Sequence, residues 1–137
     1  MLFRSTAIMI YTKDMVIPTQ SAAIYIIREI GGQSQQTFDA FVAFKNQFKD
    51  LNSAKPNHPS EVLYVGSCTT KLKTRLKQHT LKCGKSTYAL RLYQWFTGNY
   101  QIEIQFYDVS KTVLQLIEDN LADQLQPAFG KRGSNNK

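Results

Sequence analysis

The segments SAAIYIIREI at residues 21–30 and EVLYVG at residues 61–66 decide the fold of this chain. Both are short and rich in β-branched and aromatic residues, which is the composition of β-strands. A pair of glycines ends the first segment. Tyr25 lies near the middle of the first segment and Tyr64 lies in the second. We therefore predict two strands that each present a phenol.

A predicted helix separates the two strands. Between residues 35 and 51, apolar side chains recur at intervals of three and four with charged residues between them, the pattern of an amphipathic helix. These apolar residues are Phe38, Phe41, Val42, Phe44, Phe48 and Leu51. A loop with two prolines follows. Residues 33–60 are thus a helical insertion, and we expect its aromatic face to pack on the domain or on a second subunit.

Two further helices are predicted after the second strand. The first begins at a cap, Thr69 or Thr70, and runs to about Leu81. The second begins at Ser86 and ends near Phe96, before a Gly-Asn pair.

The remaining pattern predicts the fold class. Residues 101–109 alternate polar and apolar side chains, as a half-exposed strand does. Ser110 can cap a last helix, which ends before Pro127. Sequential strands without long crossovers favour antiparallel pairing. We predict an α+β fold with a small three-stranded antiparallel sheet flanked by helices.

One domain accounts for all 137 residues. Residues 1–20 are either an N-terminal arm or an extra edge strand. Residues 131–137 contain glycine, serine, asparagine and basic side chains, which predicts a flexible basic tail.

The charge of the chain indicates a polyanionic partner. Lysine and arginine number 17 against 10 aspartates and glutamates, a net charge of +7. No apolar run approaches the roughly 18 residues that span a bilayer. Arg4, Ser5 and Thr6 interrupt the opening segment, unlike a signal peptide. We expect a nucleic-acid partner, no membrane and a cytoplasmic location.

The two cysteines, Cys68 and Cys83, are too few for a disulfide framework, and we expect reduced thiols. With His58 and His79 they could in principle bind zinc. Because the spacing contains no close Cys-x-x-Cys pair, we expect no zinc site.

The helix predicted after Thr70 has a basic face, with Lys71, Arg75 and His79 at successive four-residue steps. An arginine can grip a phosphate with two hydrogen bonds, and a histidine can accept or relay a proton. A solvated basic face is the alternative interpretation. The candidate nucleic-acid contacts are Lys71, Lys73, Arg75, Lys77, Lys131 and Arg132.

Glu118 borders the apolar stripe of the last predicted helix, because its neighbours one turn before and one and two turns after are leucines. A carboxylate there costs several kcal/mol, in order of magnitude, unless it is compensated. One Mg²⁺, bound through this carboxylate, waters and substrate phosphate, could compensate it. A salt bridge to Arg28 or Arg91, or exposure at the edge of the stripe, would do so as well.

Taken together, five side chains resemble the motif residues of the GIY-YIG nuclease family: Tyr25, Tyr64, Arg75, His79 and Glu118. The family is named after two short motif segments. Ala23-Ile24-Tyr25 corresponds to the first of them, and Tyr64-Val65-Gly66 corresponds to the second. Residues 125–133 are similar to the closing segment of the family, so the resemblance covers residues 21–133.

The resemblance implies a metal-dependent endonuclease acting on DNA, with double-stranded DNA as the expected substrate. Tyr25, in preference to Tyr64, would take a proton from the attacking water, with His79 in the same catalytic set. Arg75 would hold the scissile phosphate, and Glu118 would bind one Mg²⁺ or Mn²⁺. A homodimer would allow both strands to be cut.

Besides the mild changes to Ala23 and Val65 within the motif, the sequence departs from the family in two respects. The insertion at residues 33–60 separates the motif tyrosines, and the family asparagine after the metal helix is missing, with Asn135 or Asn136 as possible substitutes. A non-catalytic nucleic-acid-binding module of the same fold is therefore the first alternative, and a basic RNA- or ribosome-associated protein is the second. The presence of all five groups favours the enzyme.

Overall fold

One antiparallel sheet organises the computed structural model, which describes residues 4–18 and 20–130. In chain order its strands are β1 Ala7–Ile10, β2 Gln20–Ile30, β3 Val62–Thr70 and β4 Asn99–Tyr107. Their order across the sheet is β1-β4-β2-β3, so β4 and β2 are central. The α+β fold is confirmed, and the sheet has four strands instead of the predicted three.

The additional strand is β1, which pairs with β4 so that Ala7 lies opposite Phe106 and Ile10 opposite Glu103. All four of its residues are exposed. A short strand without a buried face has no alternation of polar and apolar residues. The sequence of residues 1–20 therefore does not distinguish an N-terminal arm from an edge strand.

Within the described residues, four helices accompany the sheet: α1 Ser34–Gln47, α2 Leu72–Thr80, α3 Leu92–Trp95 and α4 Lys111–Leu125. The inserted helix α1 lies between β2 and β3, as predicted. The prediction of a helix from Ser86 to about Phe96 is wrong over most of its length, since only the single turn α3 forms. Arg91 precedes that turn in the left-handed conformation, with φ 57°.

The predicted caps have different outcomes. Thr69 and Thr70 are not caps, because β3 continues through them and, after a register shift, pairs Thr70 with Gln20 of β2. The residue that precedes α2 is instead Lys71, in the left-handed conformation with φ 55°. The cap at Ser110 is confirmed: the backbone N–H of Val113 donates to its Oγ at 3.2 Å.

The sheet carries a separate core on each face. The helix α4 covers the face formed by Ile24, Ile26 and Val65, where Leu114 is buried. The opposite face packs against α1 and the loops. There Phe41 is fully buried, with its ring centroid 4.4 Å from that of Phe129.

The insertion is therefore part of the domain core. Phe44 is also buried, whereas Phe48 at the end of the aromatic face is 42% exposed. In the part of the chain that the structure describes, no helix is both long and apolar enough to cross a membrane.

Candidate active site

The two motif tyrosines lie side by side on neighbouring strands. Tyr25 pairs with Gly66, and Tyr64 pairs with Ile27, so both phenols lie on the same face of the sheet. Their rings stack with centroids 6.0 Å apart and an angle of 7° between the planes. Any side chain at position 66 would overlap the Tyr25 ring. The glycine of the second motif therefore makes room for the first tyrosine.

His79 on α2 contacts both phenol rings and is fully buried. The backbone N–H of Leu90 donates to its Nδ1 at 3.1 Å, so this nitrogen is an acceptor without a proton. The proton of the neutral ring is then on Nε2, 3.0 Å from Oη of Tyr25. Burial, and next the charge of Arg75, hold the pKa of His79 well below its usual range. This network assigns His79 as a neutral donor to the phenol oxygen.

Tyr25 is protonated at neutral pH in the substrate-free protein. Its side chain is 1% exposed, and burial raises the pKa of Tyr25 far above its ordinary value, with a further increase from Tyr64. The charge and hydrogen bond of Arg75 act in the opposite direction without cancelling the effect of burial. A phenolate at this position needs additional positive charge.

Arg75 is anchored along one edge of its guanidinium. Nη2 donates to the carbonyl oxygen of Tyr88 at 2.9 Å and, more weakly, to Oη of Tyr64 at 3.4 Å. Nη1 donates to Oε1 of Gln78 at 3.0 Å. Together with a hydrogen bond to Tyr25, these contacts use up to four of the five guanidinium N–H donors and leave at least one for an incoming oxyanion.

The predicted lysine contacts lie on the same helix or beside it. Lys71 and Lys77 are exposed. Lys73 is partly buried, and its Nζ donates to the carbonyl oxygen of Met15 at 3.3 Å. The predicted contacts Lys131 and Arg132 lie outside the described residues.

Glu118 is buried on α4, with 6% of its surface exposed. Burial raises the pKa of Glu118, and hydrogen bonds from Ser67 and Gln115 counteract part of this effect. Nε2 of Gln115 lies 3.4 Å from its Oε2. Among the charged groups whose fields act on Glu118 is Arg75, and Glu118 in turn acts on Tyr25. Glu118 is therefore coupled electrostatically to Arg75 and Tyr25 from α4, the helix that covers the opposite face of the sheet.

Both salt bridges considered for Glu118 are wrong. Arg28 pairs with Glu103 at 2.9 Å. The guanidinium of Arg91 is 1% exposed and donates to backbone carbonyl oxygens, among them Asn52 at 2.8 Å and Gly84 at 2.6 Å. Exposure at the edge of the helix is also excluded by the burial of Glu118. Its carboxylate is thus left with neutral hydrogen-bond donors.

The buried carboxylate of Glu118 is suited to binding one divalent cation. Mg²⁺ is held in many sites by one or two carboxylates, with waters and phosphate oxygens completing its coordination. Within residues 4–18 and 20–130, no group of three or more histidine, cysteine, aspartate or glutamate side chains converges. Among the described residues Glu118 forms no salt bridge, so its buried carboxylate is the group that such a cation would neutralise.

Several contacts of the site have no sequence signal. The Tyr88 carbonyl and the Leu90 amide belong to a loop between α2 and α3, and backbone groups there are available in any sequence. Gln115 could have been found, since it lies one turn before Glu118 on the same helix.

An asparagine of the insertion lies against the segment where the family asparagine is missing. Nδ2 of Asn57 donates to the carbonyl oxygens of Gly130 at 2.9 Å and Pro127 at 3.3 Å, and its backbone N–H donates to Ala128 at 2.7 Å. Asn135 and Asn136, considered for this role, lie outside the described residues.

Comparison with known proteins gives one match. The model of a family described as the GIY-YIG catalytic domain matches residues 44–132, which is more than half of the chain. The matched range includes Tyr64, Arg75, His79 and Glu118 and begins after Tyr25. No curated protein and no solved structure matches the chain.

Proposed function

The chain belongs to the GIY-YIG catalytic domain family, and from this we propose that it is a DNA endonuclease dependent on one Mg²⁺ or Mn²⁺. Domains of this family are in general nucleases that cleave nucleic acid with divalent metal ions. The observation that carries the proposal is the buried carboxylate of Glu118, on which the charge of Arg75 acts, together with the two stacked phenols.

Arg75 binds the scissile phosphate. Its guanidinium is already oriented by the Tyr88 carbonyl and by Gln78, so little side-chain entropy is lost when a phosphate arrives. The guanidinium charge and its remaining N–H donor stabilise the charge that develops on the phosphate oxygens in the transition state.

Glu118 holds the metal ion. When bound, a divalent ion polarises the phosphate and stabilises the leaving oxygen. The low exposure of Glu118 keeps its carboxylate weakly solvated, which strengthens its attraction for a cation.

Tyr25 accepts the proton of the attacking water as a phenolate. The water oxygen forms the new bond to phosphorus while the bond to the leaving oxygen breaks. The Nε2–H of His79 donates to the phenol oxygen and stabilises its negative charge. Arg75 also favours the phenolate.

This assignment predicts a rate that rises with pH. Because burial raises the pKa of Tyr25, the phenolate fraction should grow about tenfold per pH unit through the neutral range without a plateau. His79 adds no inflection there, because its lowered pKa keeps it neutral. Plasmid nicking between about pH 6 and 9 measures the profile.

The control for this profile is Tyr64→Phe, which keeps the stacked ring and should keep the slope. Tyr25→Phe should reduce the rate at every pH. If Tyr25→Phe retained the parental slope and rate, another group would be the base and the assignment of Tyr25 would fail.

The alternative of a non-catalytic binding module is supported by one observation, the near-complete burial of the two phenols, which are 1% and 2% exposed. Incubation with supercoiled plasmid separates the two functions. The enzyme should nick plasmid with Mg²⁺ or Mn²⁺, and chelator should stop it. DNA binding without nicking would select the binding module.

The substrate and assembly follow from the same proposal. The exposed lysines Lys71 and Lys77 suit double-stranded DNA, because their charges displace counterions from its phosphates on binding. A homodimer would bring two single-metal sites to the two strands.

A further inference from the structure

A groove of about 380 Å³ lies between the N-terminal part of α1 and the segment that connects α3 to β4. This volume is within the range of about 300–1,000 Å³ that small-molecule sites occupy. Of the described residues that line the groove, only Glu29 is charged, although the chain carries 17 lysines and arginines. A lining with a carboxylate and no cation disfavours phosphate and favours a positively charged ligand.

Side-chain contacts place the carboxylate of Glu29 at this groove. Oγ1 of Thr37 donates to its Oε2 at 2.8 Å. A Cβ built on Gly32 would overlap Oε2, and a Cβ built on Gly98 would lie 3.3 Å from it. All three neighbours line the groove. The carboxylate itself, and not only the backbone of Glu29, therefore belongs to the lining.

The carboxylate of Glu29 has unused acceptor positions. Of the roughly four positions of a carboxylate, the hydrogen bond from Thr37 uses one. Oε1 is enclosed and has no hydrogen-bond partner among the described residues. An enclosed oxygen without a donor is unfavourable, because the hydrogen bonds that it makes to water in the unfolded chain are not replaced. Since the terminal torsion of a glutamate is soft, a ligand in the groove can engage Oε1 through a small rotation of the carboxylate.

Aromatic rings lie beside the carboxylate. A Cβ built on Gly98 would lie 3.0 Å from Cζ of Phe96 as well as 3.3 Å from Oε2 of Glu29, so one point adjoins both the ring and the carboxylate. Trp95 also lines the groove, with its ring centroid 5.6 Å from that of Phe96. Cations bind aromatic faces within about 6 Å of the ring centroid, and guanidinium groups also stack on them. A carboxylate next to two aromatic rings therefore suits a planar organic cation.

We propose that this groove binds a guanidinium group, which donates hydrogen bonds to the carboxylate of Glu29 and contacts the rings of Trp95 and Phe96. The site lies apart from the motif tyrosines, because Glu29 follows Tyr25 by four residues on β2, about 13 Å away by the rise of a strand. The proposal does not rest on the nuclease function. It gives the inserted helix α1 a role in ligand binding in addition to its role in the core.

The test uses the single tryptophan of the chain, Trp95, whose fluorescence reports occupation of the groove. n-Butylguanidinium is titrated at constant ionic strength, and n-butylurea serves as a neutral probe of nearly the same shape. We expect n-butylguanidinium to saturate the signal on the order of 1 mM and n-butylurea to bind at least about tenfold more weakly. Glu29→Gln should bind the two probes equally.

A second variant blocks the site without changing a charge. In Gly98→Ala the methyl group would occupy the point between Phe96 and Glu29, which should weaken n-butylguanidinium binding at least about tenfold. Gly84→Ala is the matched control, because a Cβ there meets no atom of the described residues within 4 Å, and it should bind like the parental protein. Neither glycine has a positive φ, so both variants should melt with the parental protein.

An acetylated and amidated Gly-Arg-Gly peptide separates the sources of the guanidinium. Peptide binding at least as tight as that of n-butylguanidinium assigns the groove to an arginine side chain of a protein, and weaker binding assigns it to a small guanidinium compound. If the folded parental protein gives no saturable Trp95 signal, or binds both probes equally tightly, the proposal is overturned. Because plasmid nicking is not part of this test, that outcome leaves the nuclease proposal in place.

Discussion

Glu118→Gln should abolish plasmid nicking and at the same time raise thermal stability. Glutamine keeps the size of the side chain and an oxygen that accepts hydrogen bonds, but it cannot neutralise a divalent cation. In the metal-free protein the buried carboxylate has neutral partners, so loss of its charge relieves a desolvation cost. We expect a gain on the order of 1 kcal/mol, or about 4 °C in melting temperature for a domain of this size.

The pH dependence of this gain has a definite sign. Because the pKa of Glu118 is raised in the folded protein, the folded state binds the proton more tightly than the unfolded state. The stabilising effect of protonation is complete below the ordinary glutamate pKa and is lost as pH rises through the folded pKa. Glu118→Gln should therefore exceed the parental protein in stability at pH 7 and equal it near pH 4.

The matched control is Glu61→Gln, which removes the same charge from an exposed side chain. It should leave nicking and melting unchanged. DNA binding by Glu118→Gln should be equal to or slightly stronger than parental binding, since one negative charge near the phosphates has been removed. A Glu118→Gln variant that nicks plasmid at the parental rate would exclude Glu118 as the metal ligand.

The elements that the sequence predicts well are those with a regular apolar period. The strand around Tyr25 is buried on both faces and reads as a continuous β-branched run, and α4 has a stripe and a capping serine. These two elements carry two of the candidate site residues. Tyr25 and Glu118 could therefore be assigned to a strand and a helix from local pattern alone.

What the sequence does not predict depends on backbone contacts and on register. Between α2 and α3 the chain carries few helical hydrogen bonds, because carbonyl oxygens from Gly84 to Thr87 bind the buried guanidinium of Arg91. No local propensity encodes such a tertiary contact. The same loop supplies the groups that orient Arg75 and His79. The sequence thus suggests which side chains are candidate site residues, and it does not predict the backbone groups that position Arg75 and His79.

The protonation states of His79 and Tyr25 also depend on contacts that the sequence does not predict. A histidine one turn after an arginine suggests a proton relay, yet the Leu90 amide makes His79 a donor toward Tyr25. Likewise, burial of Tyr25 disfavours the phenolate form that the proposed mechanism requires. Both effects come from packing around the side chain and have no trace in the residue spacing.

Arg75→Lys should lower the rate of plasmid nicking by at least about a hundredfold although the charge is kept. An ammonium group cannot bind a phosphate oxygen while it also keeps the contacts of the guanidinium with the Tyr88 carbonyl and the Tyr64 phenol. The sequence alone suggests a change that leaves folding unaffected. The structure indicates a moderate loss of stability, on the order of 1–2 kcal/mol, because hydrogen bonds to Tyr88 and Gln78 are weakened.

Arg28→Lys is the matched control, since Arg28 also bonds through its guanidinium, to Glu103 at 2.9 Å, and its side chain is 32% exposed. This variant should nick plasmid at the parental rate. Nicking is compared at a temperature well below both melting transitions, so that the difference reports chemistry and not unfolding. The ratio of the maximal rates then isolates the phosphate contact, because duplex binding by Arg75→Lys should fall far less than its rate. If Arg75→Lys and Arg28→Lys cut equally fast, Arg75 is a structural anchor for the loop that follows α2, and the phosphate must be held by another cation.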